Sequence, residues 1–247
     1  MTITGRAVLP TATGLFTHPN DPGFRALRAS VDRALTSLPT VDSFVLLAAG
    51  DEALVHDASA VTLVAGEQPY VRAELQHDEQ MLAALSSRGQ FPRVRDDFLD
   101  GPLAVLALLV NAVQPDACTM PVTVPRAAGV EALEAVAAGI VGAAQATQRS
   151  VAIVAAGELA VLLDGEHGNH PLAQARGFDA DVVAALEAGD AAAMAALGPT
   201  QAGDHGAAGW APLAVMLATG TDRGAFGTVD YLRVACVGRV VAYDLSA

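Results

Sequence analysis

The chain has 247 residues, 52% of them apolar and 17% charged, with a formal net charge of −13. Core material is ample, so an unfolded ground state is excluded, and so acidic a surface repels a nucleic-acid duplex or an anionic membrane. Every basic side chain is Arg, which rules out a Schiff-base lysine and a Walker A lysine.

In chain order, Ile3–Leu9 reads as a first strand, followed by a loop marked by Pro10, Pro19, Asn20 and Pro22. Gly23–Leu38 reads as an amphipathic helix. Leu27, Val31, Leu35 and Leu38 recur at helical spacing while Arg25, Arg28, Asp32 and Arg33 take other faces, and Pro39 stops it. Ser43–Ala49 is continuously apolar, the mark of a strand covered on both faces. Asp57–Ala65 fits a strand or a short helix. Asp78–Arg88 is expected as a helix with Met81, Leu82 and Leu85 inward, and Gln90–Pro102 as a polar loop. Leu103–Val113 is apolar throughout, so periodicity does not assign it. It is shorter than the roughly 20 residues a bilayer span needs.

Thr119–Val124 reads as a strand leading into Pro125. Gly129–Thr147 reads as an Ala-rich helix packed through Val130, Leu133, Val136, Ile140 and Val141, and Ser150–Ala156 as the next strand. This strand–helix–strand unit is expected to be parallel and right-handed. Phe178–Glu187 is a helix with Phe178, Val182, Val183 and Leu186 as its stripe. Gly189 closes it, and Asp190 caps a short helix ending at Leu197, Gly198 and Pro199. Trp210–Ala218 is a further helix. Val229–Cys236 and Arg239–Leu245, around Gly238, form a closing hairpin. Residues 1–247 are thus expected to form one α/β domain, a mixed but mainly parallel sheet with helices on both faces and a C-terminal antiparallel hairpin. Cys118 and Cys236 lie far apart in apolar runs and are expected as buried free thiols, which fits a reducing cytoplasm. The first twenty residues lack a basic region followed by an apolar one, so no secretory signal is expected.

Chemistry concentrates between Ser150 and His170. The charge-free strand breaks into Gly157, Glu158 and Leu159, then a loop holding Asp164, Glu166, His167 and His170. In open α/β sheets, ligands bind where strands end. Glu158 follows the strand directly. If burial raises its pKa it suits a general base; otherwise it is a structural carboxylate that accepts backbone N–H groups. His167 and His170 have metal-ligand spacing, with nearby acids, yet Gly165, Gly168 and Asn169 mark a solvated loop. Asp204 and His205 precede the Trp210 helix, as cap or as ligand contact. His56 and Asp57 follow the second strand, with Asp57 reading as a helix start. His18 and His77 read as surface residues. Thr11 and Thr13 either bind a ligand or satisfy their own turns. Trp210 reads as a core anchor, with a substrate platform as the alternative. No Gly-x-Gly-x-x-Gly or Gly-x-Ser-x-Gly follows a strand, so a Rossmann cofactor site and a hydrolase elbow lack support.

Four stretches carry a family resemblance: AVLPTATGLF (Ala7–Phe16), SFVLLAAG (Ser43–Gly50), SVAIVAAGELA (Ser150–Ala160), and FDADVVAALEAGDAAAMAAL (Phe178–Leu197) followed by GAAGWAPLAVMLATG (Gly206–Gly220). In this order they resemble the catalytic B-type subunit of class III extradiol ring-cleavage dioxygenases, the group that includes the protocatechuate 4,5-dioxygenase beta chain, and its small subunit-B-like members above all. The resemblance implies a site where two His and a carboxylate bind Fe(II), leaving positions open for a catechol and O₂. Another His serves as acid/base. The first stretch is similar to a strand ending in Pro-His-Pro-Pro, which puts Thr11 where the first iron-ligand His is expected. The third is similar to a strand ending in Gly-Asp-Leu-Ser-His; the acid/base His falls on Val161, while Glu158 keeps an acid. Ahead of Trp210, where an acidic ligand is sought, stand Ala207, Ala208 and Gly209. Only His56 lies near a family ligand position. Thr and Val do not replace imidazole nitrogen, so the inherited iron site is not expected to assemble.

Three readings follow. The first is a degenerate relative, non-catalytic or iron-independent and without a cofactor. It binds a small molecule or a partner protein through the old cleft of Thr11, Thr13, His56, Glu158 and Trp210, as a homo-oligomer. The second is an active metal-dependent oxidoreductase with relocated ligands. It holds Fe(II) or Zn on His56, His167 and His170, with Glu158 and His205 as catalytic groups. The third is a metal-free enzyme with Glu158 as base.

Overall fold

The computed structural model describes residues 3–65, 68–87, 91–161, 172–220 and 225–244. In chain order its elements are β1 (Ile3–Leu9), α1 (Gly14–Thr17), α2 (Pro22–Ser37), β2 (Ser43–Gly50), β3 (Leu54–Ala58), β4 (Ala60–Ala65) and β5 (Gln68–Glu74). Then follow α3 (Glu79–Ser87), β6 (Arg93–Asp96), α4 (Gly101–Asn111), β7 (Cys118–Pro125), α5 (Val130–Thr147) and β8 (Val151–Ala156). The chain continues through α6 (Leu172–Ala188), α7 (Ala191–Asp204), α8 (Trp210–Ala218), β9 (Thr228–Val234) and β10 (Val237–Tyr243).

Continuous apolarity sends β2 and β8 to the middle of one sheet, flanked by β7 and β1, which carry Thr119, Thr123, Thr4 and Arg6 among apolar residues. The strand order is β6-β3-β7-β2-β8-β1-β10-β9, and β4 and β5 form a separate antiparallel pair. The central four, β7-β2-β8-β1, are mutually parallel. Outside them β3 runs antiparallel to β7, and β10 antiparallel to β1. Successive side chains of a strand point to opposite faces, and both faces are covered here. Val151, Ile153 and Ala155 of β8 pack with Ile140, Val182, Met194 and Leu213 from α5 to α8. Ala152, Val154 and Ala156 pack with Leu27, Val31, Leu106 and Leu109 from α2 and α4. The expected fold class is therefore the observed one: a mixed, mainly parallel sheet between helices, closed by an antiparallel hairpin. That hairpin is pinned to β1 by the buried Arg6 guanidinium, which holds both oxygens of Asp244 at 3.2 and 3.0 Å.

Several local expectations change. Leu103–Asn111 belongs to α4, whose residues Leu103 to Val110 are all buried, while Val113 lies past its end and is exposed. A helix covered on every side has no reason to show a polar stripe. Gln90–Pro102 contains the edge strand β6, polar because an edge strand meets water. Asp57 starts no helix; it lies in β3 and accepts bonds from Arg93 at 2.7 Å and Arg95 at 3.1 Å. Val183 and Val130 leave their expected packed stripes, Val183 half-buried and Val130 exposed. The hairpin turns at Ala235 and Cys236, both with positive φ (50° and 64°), and Gly238 lies inside β10. Cys236 is thus a turn residue, Cys118 opens β7, and both free thiols are half-buried rather than buried. Among the described residues no helix is long and apolar enough to cross a membrane.

Candidate functional site

The parallel strands bring their C-terminal ends to one edge of the sheet. Two polar sites form there, side by side but different in kind.

The first joins the ends of β8 and β1. Glu158 lies just past β8, bridged to Arg239 of β10. Its Oε1 accepts the Thr11 amide at 2.5 Å, and its Oε2 accepts the Thr11 hydroxyl. The Arg239 Nε stands 3.7 Å from Oε1, with side-chain exposures of 8% for Arg239 and 17% for Glu158. Arg239 also donates to the Val234 carbonyl. Burial raises the Glu158 carboxyl above the usual carboxylate range, against the pull of Thr11 and Arg239. The same burial lowers the Arg239 guanidinium, against the pull of Glu158. Small residues make room for this site. Gly209 donates to the Glu158 carbonyl at 2.6 Å, and a Cβ on Gly209 would lie only 2.6 Å from that oxygen and 2.9 Å from the Ala156 carbonyl. Ala207, Ala208 and Gly209 thus bring the start of α8 against the strand end.

Trp210 follows at once and is fully buried, its Nε1 donating to the Met194 carbonyl at 2.8 Å. It anchors the core, the first of its two expected readings, and does not wall the cleft in which the degenerate-relative reading placed it. Thr13 is exposed at the N-cap of α1, with no side-chain cap bond. His205 ends α7. Its carbonyl takes the Val161 amide at 3.0 Å, while its ring turns to Phe178 at 5.3 Å.

The second site opens at the ends of β2 and β7. A cavity of about 500 Å³ is lined by Ala48 and Ala49 of β2, Thr123 of β7, His56 of β3, and Asp96, Asp97, Asp100 and Leu103. His56 Nδ1 bonds Asp96 Oδ2 at 3.1 Å. His56 Nε2 is buried and has no hydrogen-bond partner among the described residues. The cavity lining contains His56 but not Thr11, Thr13, Glu158 or Trp210.

The expected single cleft is therefore two places: Thr11 and Glu158 meet, and His56 stands apart with Asp96. Asp164, Glu166, His167 and His170 lie outside the described residues. Among those described, no three His, Cys, Asp or Glu side chains are arranged to hold a metal ion. Sequence reasoning missed Arg239 and the carboxylates of the 96–100 segment. The available signal was an Arg inside the otherwise charge-free strand VGRVVAY.

No protein-family model matches the chain, and no curated protein does. A solved structure matches in fold: the crystal structure of the uncharacterized protein JW3007 from Escherichia coli K12. It covers 97% of this chain and 99% of its own at a TM-score of 0.59, with 12% identity. Likeness at that identity establishes a shared architecture.

Proposed function

We propose that this chain is a divergent relative of the extradiol dioxygenase B-type subunits. In this reading it has given up the ferrous site and acts as an iron-independent small-molecule-binding protein. One observation carries the proposal: Thr11, at the first ligand position, commits both its amide and its hydroxyl to Glu158, and that carboxylate faces Arg239. Ferrous ion of this type takes neutral imidazole nitrogens and a free carboxylate. A threonine hydroxyl supplies no such nitrogen, and a guanidinium 3.7 Å from the carboxylate repels a dication. The residues at this position do not fit ferrous ion.

Binding falls instead to the neighbouring cavity. Its volume lies within the roughly 300–1,000 Å³ typical of small-molecule sites. Its lining carries His56 and three carboxylates with no Arg, which favours a neutral or cationic ligand with a group that pairs with imidazole.

The test has two arms. Purified protein is assayed for iron by mass spectrometry and, after anaerobic Fe(II) loading, for ring cleavage of protocatechuate. We expect far less than one iron per chain and no cleavage; a stoichiometric, tightly held iron or ring opening defeats the proposal. A thermal-shift panel of small neutral and cationic aromatics then compares the parent with His56→Ala. Stabilisation of the parent that is lost in the variant supports the cavity as the binding site. No stabilisation by any compound, or equal stabilisation of both proteins, counts against it.

A further inference from the structure

We infer that the groove between α6 and β9 is a second binding site, specific for an amphipathic organic anion with a carboxylate or sulfonate head and a hydrocarbon or aryl tail. The inference is independent of the function proposed above. Arg176, Ala180, Val183, Ala184 and Glu187 are linked by helical three- and four-residue steps (176 to 180, 180 to 183 and 184, both to 187), so they form one stripe of α6. That stripe faces Tyr231 and Arg233 of β9 across a cavity of about 540 Å³. Val183 is half-buried, Ala180 and Ala184 are exposed, and Tyr231 is 40% exposed. The wall is apolar and no described element covers it.

The groove has a direction. The Phe226 amide, just before β9, meets the Leu186 carbonyl near the end of α6 at 3.5 Å. Further along, the Tyr231 hydroxyl donates to Asp179 Oδ2 at 2.6 Å. Gly238, paired with Arg233, abuts Asp179 so closely that a Cβ there would lie 2.1 Å from Oδ2. Strand and helix therefore run in opposite senses, and Arg233 falls at the Arg176 end. Glu187 lies eleven residues along α6 from Arg176, about 16 Å at 1.5 Å per residue. The groove thus has Arg176, Arg233 and the buried Asp179 at one end, an apolar middle and Glu187 at the far end. Asp179, at the arginine end, is only 2% exposed and already accepts the Ala160 amide at 2.9 Å as well as Tyr231. In a chain with 27 acidic and 14 basic side chains, two exposed Arg at one end of an apolar groove, beside an Asp179 already satisfied by Tyr231 and Ala160, favour a ligand with an anionic head. The head pairs with the guanidiniums and the tail lies over Val183 and Ala184.

The probe is 8-anilinonaphthalene-1-sulfonate, an aryl sulfonate that fluoresces in apolar surroundings, titrated into the full chain. The parent should bind it. The Arg176→Ala/Arg233→Ala double variant and Val183→Asp should each bind about tenfold more weakly. Glu187→Gln should stay within about twofold. Decanoate should displace the probe, and decyltrimethylammonium should not. Circular dichroism checks that each variant folds; Arg176 and Arg233 are both exposed, so their removal leaves the core intact. A parent that fails to bind the probe, unchanged affinity in the double-arginine variant, or equal displacement by the cation overturns the inference.

Discussion

Two stretches of the same sheet edge treat their polar groups in opposite ways. At the ends of β8 and β1, Glu158, Thr11 and Arg239 are turned on one another and nearly shut off from water. At the ends of β2 and β7, His56 and Asp96 border an open cavity, and Asp96 keeps 38% of its side-chain surface. A closed cluster loses its balance when any member is removed, because the others stay buried without a partner. Groups beside an open cavity rehydrate. The first site should therefore register in stability, the second in ligand binding.

Removing the centre of the closed cluster should have the largest effect. Glu158→Ala leaves the Thr11 amide and hydroxyl and the Arg239 charge unanswered, and should cost about 3 kcal/mol, or roughly 10 °C in thermal midpoint. A loss under about 1 kcal/mol in urea unfolding would show that water already reaches this cluster. Gly209→Ala should come next, at about 2 kcal/mol, because its Cβ meets backbone oxygens of β8 and Glu158 rather than a mobile side chain. Thr11→Val keeps the amide bond and loses the hydroxyl bond, for about 1 kcal/mol. On the open side, His56→Ala should cost less than about 1 kcal/mol, since Asp96 then turns to solvent. If His56→Ala proves as damaging as Glu158→Ala, the contrast between the two sites fails.

Acidity sharpens the same comparison, with opposite signs on the two sides. Burial raises the folded-state pKa of Glu158, so the native state holds its proton more tightly than the unfolded chain does. That contribution is full below the ordinary glutamate value and is lost as pH rises through the raised value. Asp57, next to His56, behaves the other way. Burial opposes its ionisation, but the bonds from Arg95 and Arg93 outweigh it and hold the carboxyl below the usual range. Its contribution is present above the ordinary aspartate value and is lost as pH falls through the lowered one. Urea unfolding between about pH 3 and pH 8 should show Glu158→Gln gaining on the parent as pH rises, and Asp57→Asn losing less than the parent as pH falls. A constant offset between the parent and Glu158→Gln across that range would mean that Glu158 titrates alike in folded and unfolded chains.

The central strands were legible because burial on both faces demands unbroken apolar residues, and SFVLLAAG and SVAIVAA show them. The amphipathic α2 was equally plain, since one face meets the core and the other meets water. Leu103–Val113 was not, because a helix buried all round shows no periodicity. Of the candidate site, the position of Glu158 past a buried strand was readable, as was Thr11 past β1. Their meeting was not, because they are 147 positions apart and come together only where β1 and β8 become neighbours.

Composition and local pattern alone determined the class of fold, the runs that make its core, and the lack of lysine chemistry. Those properties follow from how each short segment partitions between water and an apolar interior. Tertiary structure alone decided that His56 stands apart from Glu158, that Arg239 of the closing hairpin reaches the end of β8, and that Val183 faces a groove instead of the core. Strand order and helix docking set distances between residues remote in the chain, and burial then sets their charge. Neither is written in any single stretch of residues.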